Sequence, residues 1–265
     1  MTDWLELCRA AGADVRDALE RLPGREHREP VVASGRGGDD TTAVDAAAEH
    51  AVVALLSRNG ASFTLVSEEL GEKRFGDGGP WIVLDPIDGS NNAKRGIQHF
   101  ALSIAVADGP TMEDVFFGYV LDLGTGEEWT ARRGEGAFLN GVRLGAERPK
   151  EEIEILSFEA TTTRTVAEQA AAMVGVAHRL RIMGSLALAL CQLAAGRLDG
   201  VCSLKPARSV DIAAAQLLVR ECGLAIDLFE APPFARAPLD VEGRSRVVAA
   251  ATGDGCARLA AALSQ

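Results

Sequence analysis

Residues 81–92 read Trp-Ile-Val-Leu-Asp-Pro-Ile-Asp-Gly-Ser-Asn-Asn. The four apolar residues at the start predict a buried strand. Pro86 fixes its own φ and biases Asp85 towards an extended conformation, so the chain turns directly after these residues. This turn can direct the carboxylates of Asp85 and Asp88 and the carbonyl of Ile87 at one point, and converging hard oxygens suit Mg²⁺. The stretch therefore predicts a magnesium site at a strand end.

Gly89 and Ser90 follow the second aspartate. Gly89 lets the backbone approach a ligand closely, and N–H groups at the start of a following helix would face an anion. A polar turn with two solvated aspartates is the alternative interpretation. The buried strand before the turn and the Gly-Ser pair after it favour the metal site.

Outward from this stretch, the N-terminal half mixes helical and strand-like patterns. Apolar spacing predicts helices over 3–22 and from Thr41 or Thr42 to about 57, and a strand over 63–66. Glycine-rich segments predict loops over 34–40 and 71–80. Four short apolar segments joined by polar turns predict an antiparallel meander, at 99–107, 115–121, 127–131 and 136–144.

After about residue 146, strands and helices alternate, which predicts an α/β unit. The predicted strands are 153–158, 179–183, 200–204, 224–228 and 245–251. The predicted helices are 164–174, 185–196, 209–222 and 254–264. We expect an α/β fold with two sub-domains, an antiparallel-sheet half over 1–145 and an α/β half over 146–265. The functional site is expected at their junction.

The composition excludes several classes of protein. The 265 residues are 47% hydrophobic and 25% charged, with a net charge of −11. This suits a globular protein with a substantial core and argues against general nucleic-acid binding and against an anionic membrane surface. No apolar run approaches the length of a membrane span. Five widely spaced cysteines without a C-x-x-C pair predict buried free thiols and, with no visible signal peptide, a cytoplasmic location.

The run Asp-Pro-Ile-Asp-Gly-Ser-Asn-Asn at 85–92 resembles the signature D-P-I-D-G-[ST]-x-N of the inositol monophosphatase superfamily of Mg²⁺-dependent, lithium-sensitive phosphatases. Further segments fit in the same order, and the pattern is most similar to the archaeal-type inositol monophosphatase/fructose-1,6-bisphosphatase branch. The resemblance implies a layered αβαβα fold and a homodimer with two or three Mg²⁺ per site. It also implies hydrolysis of a small phosphorylated sugar or cyclitol by metal-activated water.

The resemblance further implies a set of metal ligands drawn from both halves of the chain: Glu68, Asp85, the carbonyl of Ile87, Asp88, Asp211 and, in a loop, Asp39. Without the Asp85 motif, a surface acid at a strand end would be the favoured interpretation of Glu68. Asp211 alone would be explained by its place in the first turn of a helix, where an acid stabilises the dipole.

Asp45 matches the family position that orients the attacking water together with the signature Ser or Thr, so the resemblance pairs Asp45 with Ser90. A solvated aspartate among helix formers is the alternative. No Ser/His or Cys/His arrangement is visible in the sequence. This favours direct attack by water over a covalent enzyme intermediate.

The segment Gly184-Ser185-Leu186 resembles the family's substrate segment at a helix start. The expected substrate contacts are Asp88, Gly89, Ser90, Gly184, Ser185, Leu186, Lys205 and Arg208. In animal-type members, an acid at the position of Leu204 contacts inositol. Here Lys205 and Arg208 add positive charge that could bind a second phosphate, although ordinary surface cations are an equal alternative.

Two other functions stay open. A 3′(2′),5′-bisphosphate nucleotidase-type phosphatase would share the metal residues. A non-catalytic metal-binding scaffold of the same fold would be favoured by the loss of a ligand, and the sequence retains every ligand that the resemblance implies.

Overall fold

The computed structural model describes residues 2–36, 40–58, 62–159, 162–230, 234–242 and 245–264. Within them the helices are α1 (Trp4–Glu20), α2 (Arg25–Arg28), α3 (Ala43–Arg58), α4 (Ser90–Arg95), α5 (Thr163–Ala170), α6 (Leu186–Ala194), α7 (Ser209–Glu221) and α8 (Gly253–Leu263). The strands of the first half are β1 (Val31–Ser34), β2 (Asp40–Thr42), β3 (Phe63–Ser67), β4 (Gly71–Phe75), β5 (Trp81–Asp88), β6 (Ala101–Ala107), β7 (Val115–Asp122), β8 (Glu128–Arg132), β9 (Gly136–Leu139) and β10 (Val142–Arg143). The strands of the second half are β11 (Ile153–Glu159), β12 (Ala177–Arg181), β13 (Gly200–Ser203), β14 (Ala225–Leu228) and β15 (Val247–Ala250).

Strands β3 to β10 form one sheet in the order β10-β9-β8-β7-β6-β5-β3-β4. Its neighbours pair antiparallel except β3 and β5, which run parallel with Ser67 opposite Leu84. The predicted antiparallel meander is therefore confirmed. The parallel pair also places Glu68, which follows β3, at the same end of the sheet as the signature turn.

Strands β11 to β15 form a second sheet in the order β12-β11-β13-β15-β14. Strand β11 pairs parallel with β12 and β13, and the other pairs are antiparallel. The chain changes from one sheet to the other between Arg143 and Ile153. On this ground we propose that residues 1–145 and 146–265 are two sub-domains.

Helices and sheets stack in five layers. Helices α1 and α3 pack on each other and on one face of the first sheet. Helices α6 and α7 lie between the two sheets, and α8 covers the outer face of the second. A helix between two sheets is buried on nearly all sides, which explains why α6 is apolar at every position except Gln192. The layered αβαβα fold implied by the resemblance is confirmed.

The expectation of a loop over 71–80 is wrong in its first half, because β4 pairs antiparallel with β3 there. Strand β4 lies at the edge of the sheet and is polar and mostly exposed, so it shows no apolar alternation. The stacked rings of Phe63 and Phe75, with centroids 4.5 Å apart, hold its end. The expected loop over 34–40 is likewise bordered by the antiparallel strands β1 and β2, with Asp40 already in β2.

Two further expectations concern membranes and thiols. Among the described helices, none is long and apolar enough to cross a membrane. The five cysteines are free, and Cys8, Cys191, Cys202 and Cys256 are buried, as predicted.

Candidate functional site

A cavity of about 710 Å³ opens where the ends of β3 and β5 meet the first turns of α6 and α7. The residues expected from the sequence that line it are Asp45, Glu68, Asp85, Ile87, Asp88, Gly89, Ser90, Gly184, Leu186, Lys205, Arg208 and Asp211. Ser185 is buried beside it and bonds to Asp88. Asp39 lies outside the described residues. The fold thus brings the expected residues of both halves to one place.

The signature turn carries a β-bulge. Asp85 lies opposite Ser103 and Asp88 opposite Ala101, so β5 has one residue more than β6 in this interval. In a regular strand, residues three apart point to opposite faces of the sheet. The extra residue changes that alternation, and both carboxylates can therefore line the cavity. Pro86 has no N–H to offer the ladder, which suits it to this position.

Three carboxylates from separate elements form an acidic cluster. Glu68 follows β3, Asp85 lies in β5, and Asp211 lies in the first turn of α7. One oxygen from each lies within 4.8 Å of the others. Asp85 is only 2% exposed and is oriented by the Ile87 N–H, which donates to its Oδ1 over 3.0 Å. The hard, negatively charged oxygens of this cluster fit a small divalent cation such as Mg²⁺.

Arg208 lies against this cluster. Its Nη2 donates to Glu68 Oε1 over 2.5 Å and to Asp211 Oδ1 over 3.4 Å, and the residue is 5% exposed. The Arg208 backbone N–H also donates to Asp211 Oδ2 over 2.7 Å. The Arg208 guanidinium thus bonds to two carboxylates of the cluster, and its expected contact with a substrate phosphate stays a prediction. Lys205, which is exposed at the cavity, remains in a position to meet a substrate.

Asp88 joins the two halves of the chain. Its Oδ2 accepts hydrogen bonds from Ser185 Oγ over 2.5 Å and from the Ala187 N–H over 2.7 Å. A carboxylate at a helix N-terminus is stabilised by the unpaired N–H groups and the dipole there. Asp88 from the first half thus caps α6 from the second, and Ser185 contacts this carboxylate at the edge of the cavity.

Burial perturbs the acids of the site. It raises the pKa of Glu68 to about 7, with the Arg208 guanidinium acting in the opposite direction. It also raises the pKa of Asp88 to about 7, against the hydrogen bond from Ser185. The pKa of Asp85 lies well above its ordinary value because of burial and the charge of Glu68. Glu68, Asp85 and Asp88 therefore keep their protons to a higher pH than ordinary carboxyl groups do, and a bound cation would displace these protons.

Asp45 and Ser90 both line the cavity, but each has another partner. Asp45 Oδ2 accepts hydrogen bonds from the hydroxyl and the N–H of Thr42. Ser90 Oγ donates to the Ile87 carbonyl over 3.0 Å. The pairing of Asp45 with Ser90 is therefore not a direct hydrogen bond in the described part of the chain. A role for both on one water stays a prediction.

Two residues that the sequence pattern did not single out for a role, Glu159 and Asn92, also shape the site. Glu159 ends β11, lines the cavity and accepts the Gly184 N–H over 2.8 Å. Asn92 Nδ2 donates to the carbonyls of His99 and Met183 over 2.7 and 2.8 Å, and so ties the signature segment to the turn before α6. An acid directly after an apolar strand, as at Glu68, was a signal that could have identified Glu159.

Glycine is required where these two segments meet. Gly89 has a φ of +99°, and a Cβ there would lie 3.0 Å from the Gly184 carbonyl oxygen. Gly184 has a φ of +86°. Both conformations are left-handed, so a side chain at Gly89 would add strain to a steric conflict. The two halves thus approach each other backbone to backbone at Gly89 and Gly184, and the expected approach of a ligand there stays a prediction.

Comparisons with known proteins identify the family and the fold. The model of the inositol monophosphatase family matches residues 3–265. A fructose-1,6-bisphosphatase/inositol-1-monophosphatase from Methanothermobacter thermautotrophicus is 33% identical over 231 residues, which cover 83% of this chain and 82% of the relative. A Nus factor SuhB from Pasteurella multocida is 34% identical over 207 residues, 76% of each chain. The crystal structure of the MJ0109 gene product, an inositol monophosphatase-fructose 1,6 bisphosphatase, is similar with a TM-score of 0.86 and 25% identity, and the match covers 98% of this chain and 100% of that one.

Proposed function

The chain belongs to the inositol monophosphatase family, and from this premise we propose that it is a Mg²⁺-dependent phosphatase of small phosphate monoesters. The phosphatase class itself is confirmed by the family and by the curated relatives. We propose that the substrate is inositol 1-phosphate, fructose 1,6-bisphosphate or both. The Archaeoglobus fulgidus and Thermococcus kodakarensis relatives, like the Methanothermobacter one, carry both names, and that supports a dual substrate.

The convergence of Glu68, Asp85 and Asp211 within 4.8 Å is the observation that carries the metal requirement. Three buried or half-buried carboxylates crowd each other's charge, and a divalent cation relieves this repulsion. Asp88 lies on the same strand as Asp85 and lines the same cavity. We propose that these four acids and the Ile87 carbonyl hold two Mg²⁺, with Asp39 assisting a third.

Bound Mg²⁺ would supply the positive charge that stabilises a reacting phosphate and activates the attacking water. The chain's own residues bind and orient the reactants. Asp45, fixed by Thr42, and Ser90, fixed by the Ile87 carbonyl, are each held in one orientation at the cavity. We propose that they position the water. The first turn of α6 fixes Asp88 through Ser185 and Ala187, which limits reorganisation during turnover.

Further expectations stand as proposals. We propose a homodimer on the ground of the resemblance, and a cytoplasmic location on the ground of the free cysteines. The acidic chain also favours a small phosphate ester over a nucleic acid as partner. A 3′(2′),5′-bisphosphate nucleotidase-type activity is the second candidate, because Lys205 at the cavity could bind a second phosphate.

A phosphate-release assay with and without Mg²⁺ tests the proposal. The substrates are inositol 1-phosphate, fructose 1,6-bisphosphate and adenosine 3′,5′-bisphosphate. We expect release from the first two that EDTA abolishes and Mg²⁺ restores. Release from the adenosine bisphosphate alone would favour the nucleotidase. No release from any ester, combined with Mg²⁺ binding in a calorimetric titration, would indicate the non-catalytic scaffold.

A further inference from the structure

One wall of the cavity presents a carboxylate that the proposed chemistry does not use. Glu159, the last residue of β11, is 7% exposed and lines the cavity together with Gly184 and Ser203. It lies close enough to Asp88 for its charge to contribute to the raised pKa of that acid. The group is therefore beside the proposed reaction site and is distinct from the acidic cluster.

The Glu159 carboxylate is held rigidly. Its Oε2 accepts the Gly184 N–H over 2.8 Å, and its Oε1 accepts Ser157 Oγ over 2.7 Å and the Met183 N–H over 3.4 Å. A carboxylate offers about four acceptor positions, so these three donors leave capacity for another. A charged acceptor fixed in this way at a cavity wall can bind a hydroxyl group of a ligand with little loss of conformational freedom.

The neighbouring strand provides no such group. Leu204 follows β13, is 6% exposed and packs into the apolar cluster around Phe158. Strands β11 and β13 pair in parallel with Glu159 opposite Ser203, and the Leu204 N–H donates to the Glu159 carbonyl over 2.7 Å. Glu159 thus places a carboxylate at the end of this strand pair that lines the cavity.

The backbone donors at the start of α6 already have partners on this wall. The Met183 and Gly184 N–H groups donate to Glu159, and the Ala187 N–H donates to Asp88. The wall therefore offers acceptors, which attract hydroxyl groups and repel a second phosphate. A second phosphate would be accommodated on the side of Lys205.

We propose that Glu159 accepts hydrogen bonds from hydroxyl groups of the substrate's alcohol and so selects polyol phosphates over esters without further hydroxyls. This selectivity rests on the proposed phosphatase function. It makes Glu159 a specificity-determining residue that acts on the alcohol and leaves the phosphate chemistry to the acidic cluster.

The test compares Glu159→Gln with the wild-type protein at saturating Mg²⁺. Glutamine keeps the size and can still accept the Gly184 N–H, but it loses the charge and one acceptor. We expect KM for inositol 1-phosphate to rise about tenfold, the effect of losing one hydrogen bond to a charged group. The kcat/KM for 4-nitrophenyl phosphate, whose alcohol has no further hydroxyl, should change less than about twofold, within the scatter of a neutral substitution.

Ser157→Ala is the matched control, because it removes a donor to the same carboxylate while keeping the charge. We expect it to raise KM for inositol 1-phosphate less than Glu159→Gln does, because the charge and the two backbone donors stay, and thermal melting checks that both variants fold. Equal losses on both esters in Glu159→Gln, or an unchanged KM for inositol 1-phosphate, would overturn the proposal.

An NMR titration with myo-inositol, which has no ester bond to hydrolyse, measures binding of the hydroxyl groups in the absence of turnover. We expect weaker binding to Glu159→Gln than to the wild type. Equal binding to both, or none to the wild type, overturns the role of Glu159. A wild-type protein that binds myo-inositol but releases phosphate from no ester overturns the proposed function and leaves the hydroxyl contact standing.

Discussion

At the scale of single residues, the site shows side chains that serve two purposes at once. Asp88 lines the cavity and caps α6, and Arg208 is the N-cap residue of α7 while its guanidinium bonds to Glu68 and Asp211. Such residues couple the site to the packing of the two halves. Substitutions there are expected to change chemistry and stability together, and matched controls can separate the two effects.

We expect Asp88→Asn to lower Mg²⁺-dependent phosphate release by at least about 100-fold, because several kcal/mol of charge interaction with the metal are lost. The amide oxygen can still accept a hydrogen bond from the Ala187 N–H, so the free energy of unfolding should fall by only about 1 kcal/mol relative to the wild type. Assays of phosphate release and thermal melting measure both effects. Asp254→Asn makes the same change in the first turn of α8 and should leave activity unaltered. Retained activity in Asp88→Asn would remove Asp88 from the metal site.

Asp45→Asn and Ser90→Ala should each lower kcat by about 100-fold, the scale of general acid–base assistance. The two side chains have separate hydrogen-bond partners, yet both line the cavity. If they orient one water, the double variant should lose much less than the product of the single losses. Steady-state kinetics of the four proteins decides this, and multiplicative losses would show independent roles.

Lys205 and Arg208 should differ in their effect on substrate choice. Lys205→Met should raise KM for fructose 1,6-bisphosphate about tenfold and leave inositol 1-phosphate unchanged, because one charged contact to the second phosphate is lost. Arg208→Met should impair both substrates alike, since its guanidinium holds Glu68 and Asp211. Kinetics with both esters measures this. No turnover of fructose 1,6-bisphosphate by the wild type would refute the dual substrate.

At the scale of elements, the contact between β7 and α7 determines how the central layer packs. A Cβ on Gly118 would lie 2.6 Å from the Ala214 carbonyl oxygen, a backbone atom that cannot move by itself. We expect Gly118→Ala to reduce the free energy of unfolding by about 1–3 kcal/mol, the usual cost of overpacking. The change should lower Tm by several degrees in a thermal melt.

Gly253→Ala is the control for that substitution. A Cβ at this position, the first residue of α8, meets nothing within 4 Å, and no positive φ is required. Alanine should therefore leave Tm unchanged or raise it slightly through its better helix propensity. Equal Tm values for the two variants would show that β7 and α7 can move apart without loss of stability.

At the scale of the whole molecule, the acids with raised pKa values make stability depend on pH and on metal binding. Burial raises the pKa values of Glu68 and Asp88 to about 7 in the folded chain, above their ordinary values of 4.5 and 3.8. The folded state therefore binds protons more tightly than the unfolded state between these limits. Their contribution to stability is complete below about pH 4 and is lost as the pH rises through 7.

In EDTA, we therefore expect the loss of these protons to lower Tm as the pH is raised from about 5 to 8. Mg²⁺ should raise Tm more at pH 8 than at pH 6, because deprotonated carboxylates bind the cation without first releasing protons. Differential scanning calorimetry at both pH values, with and without Mg²⁺, measures this. The exposed-surface variant Asp254→Asn should show the same pH dependence as the wild type. A Mg²⁺ shift that is equal at both pH values would contradict the assignment.

The sequence by itself determined the signature turn, the order of strands and helices after residue 146, and the identity of the acids that meet at the cavity. These follow from local causes: the fixed φ of Pro86, the apolar periodicity of each element and a motif of eight consecutive residues. Where such periodicity is absent, as in the polar edge strand β4, the prediction of a loop was wrong.

Only the tertiary structure decided which partners these residues have. Arg208 bonds to Glu68 across 140 positions of sequence, and Asp88 caps a helix 97 positions away at Ser185. The bulge that turns Asp85 and Asp88 to one cavity depends on the register with β6, and Glu159 reaches that cavity because β11 pairs with β13. Periodicity shows which face of an element is buried. It does not show what lies against that face, since the order of strands and the stacking of layers fix those contacts.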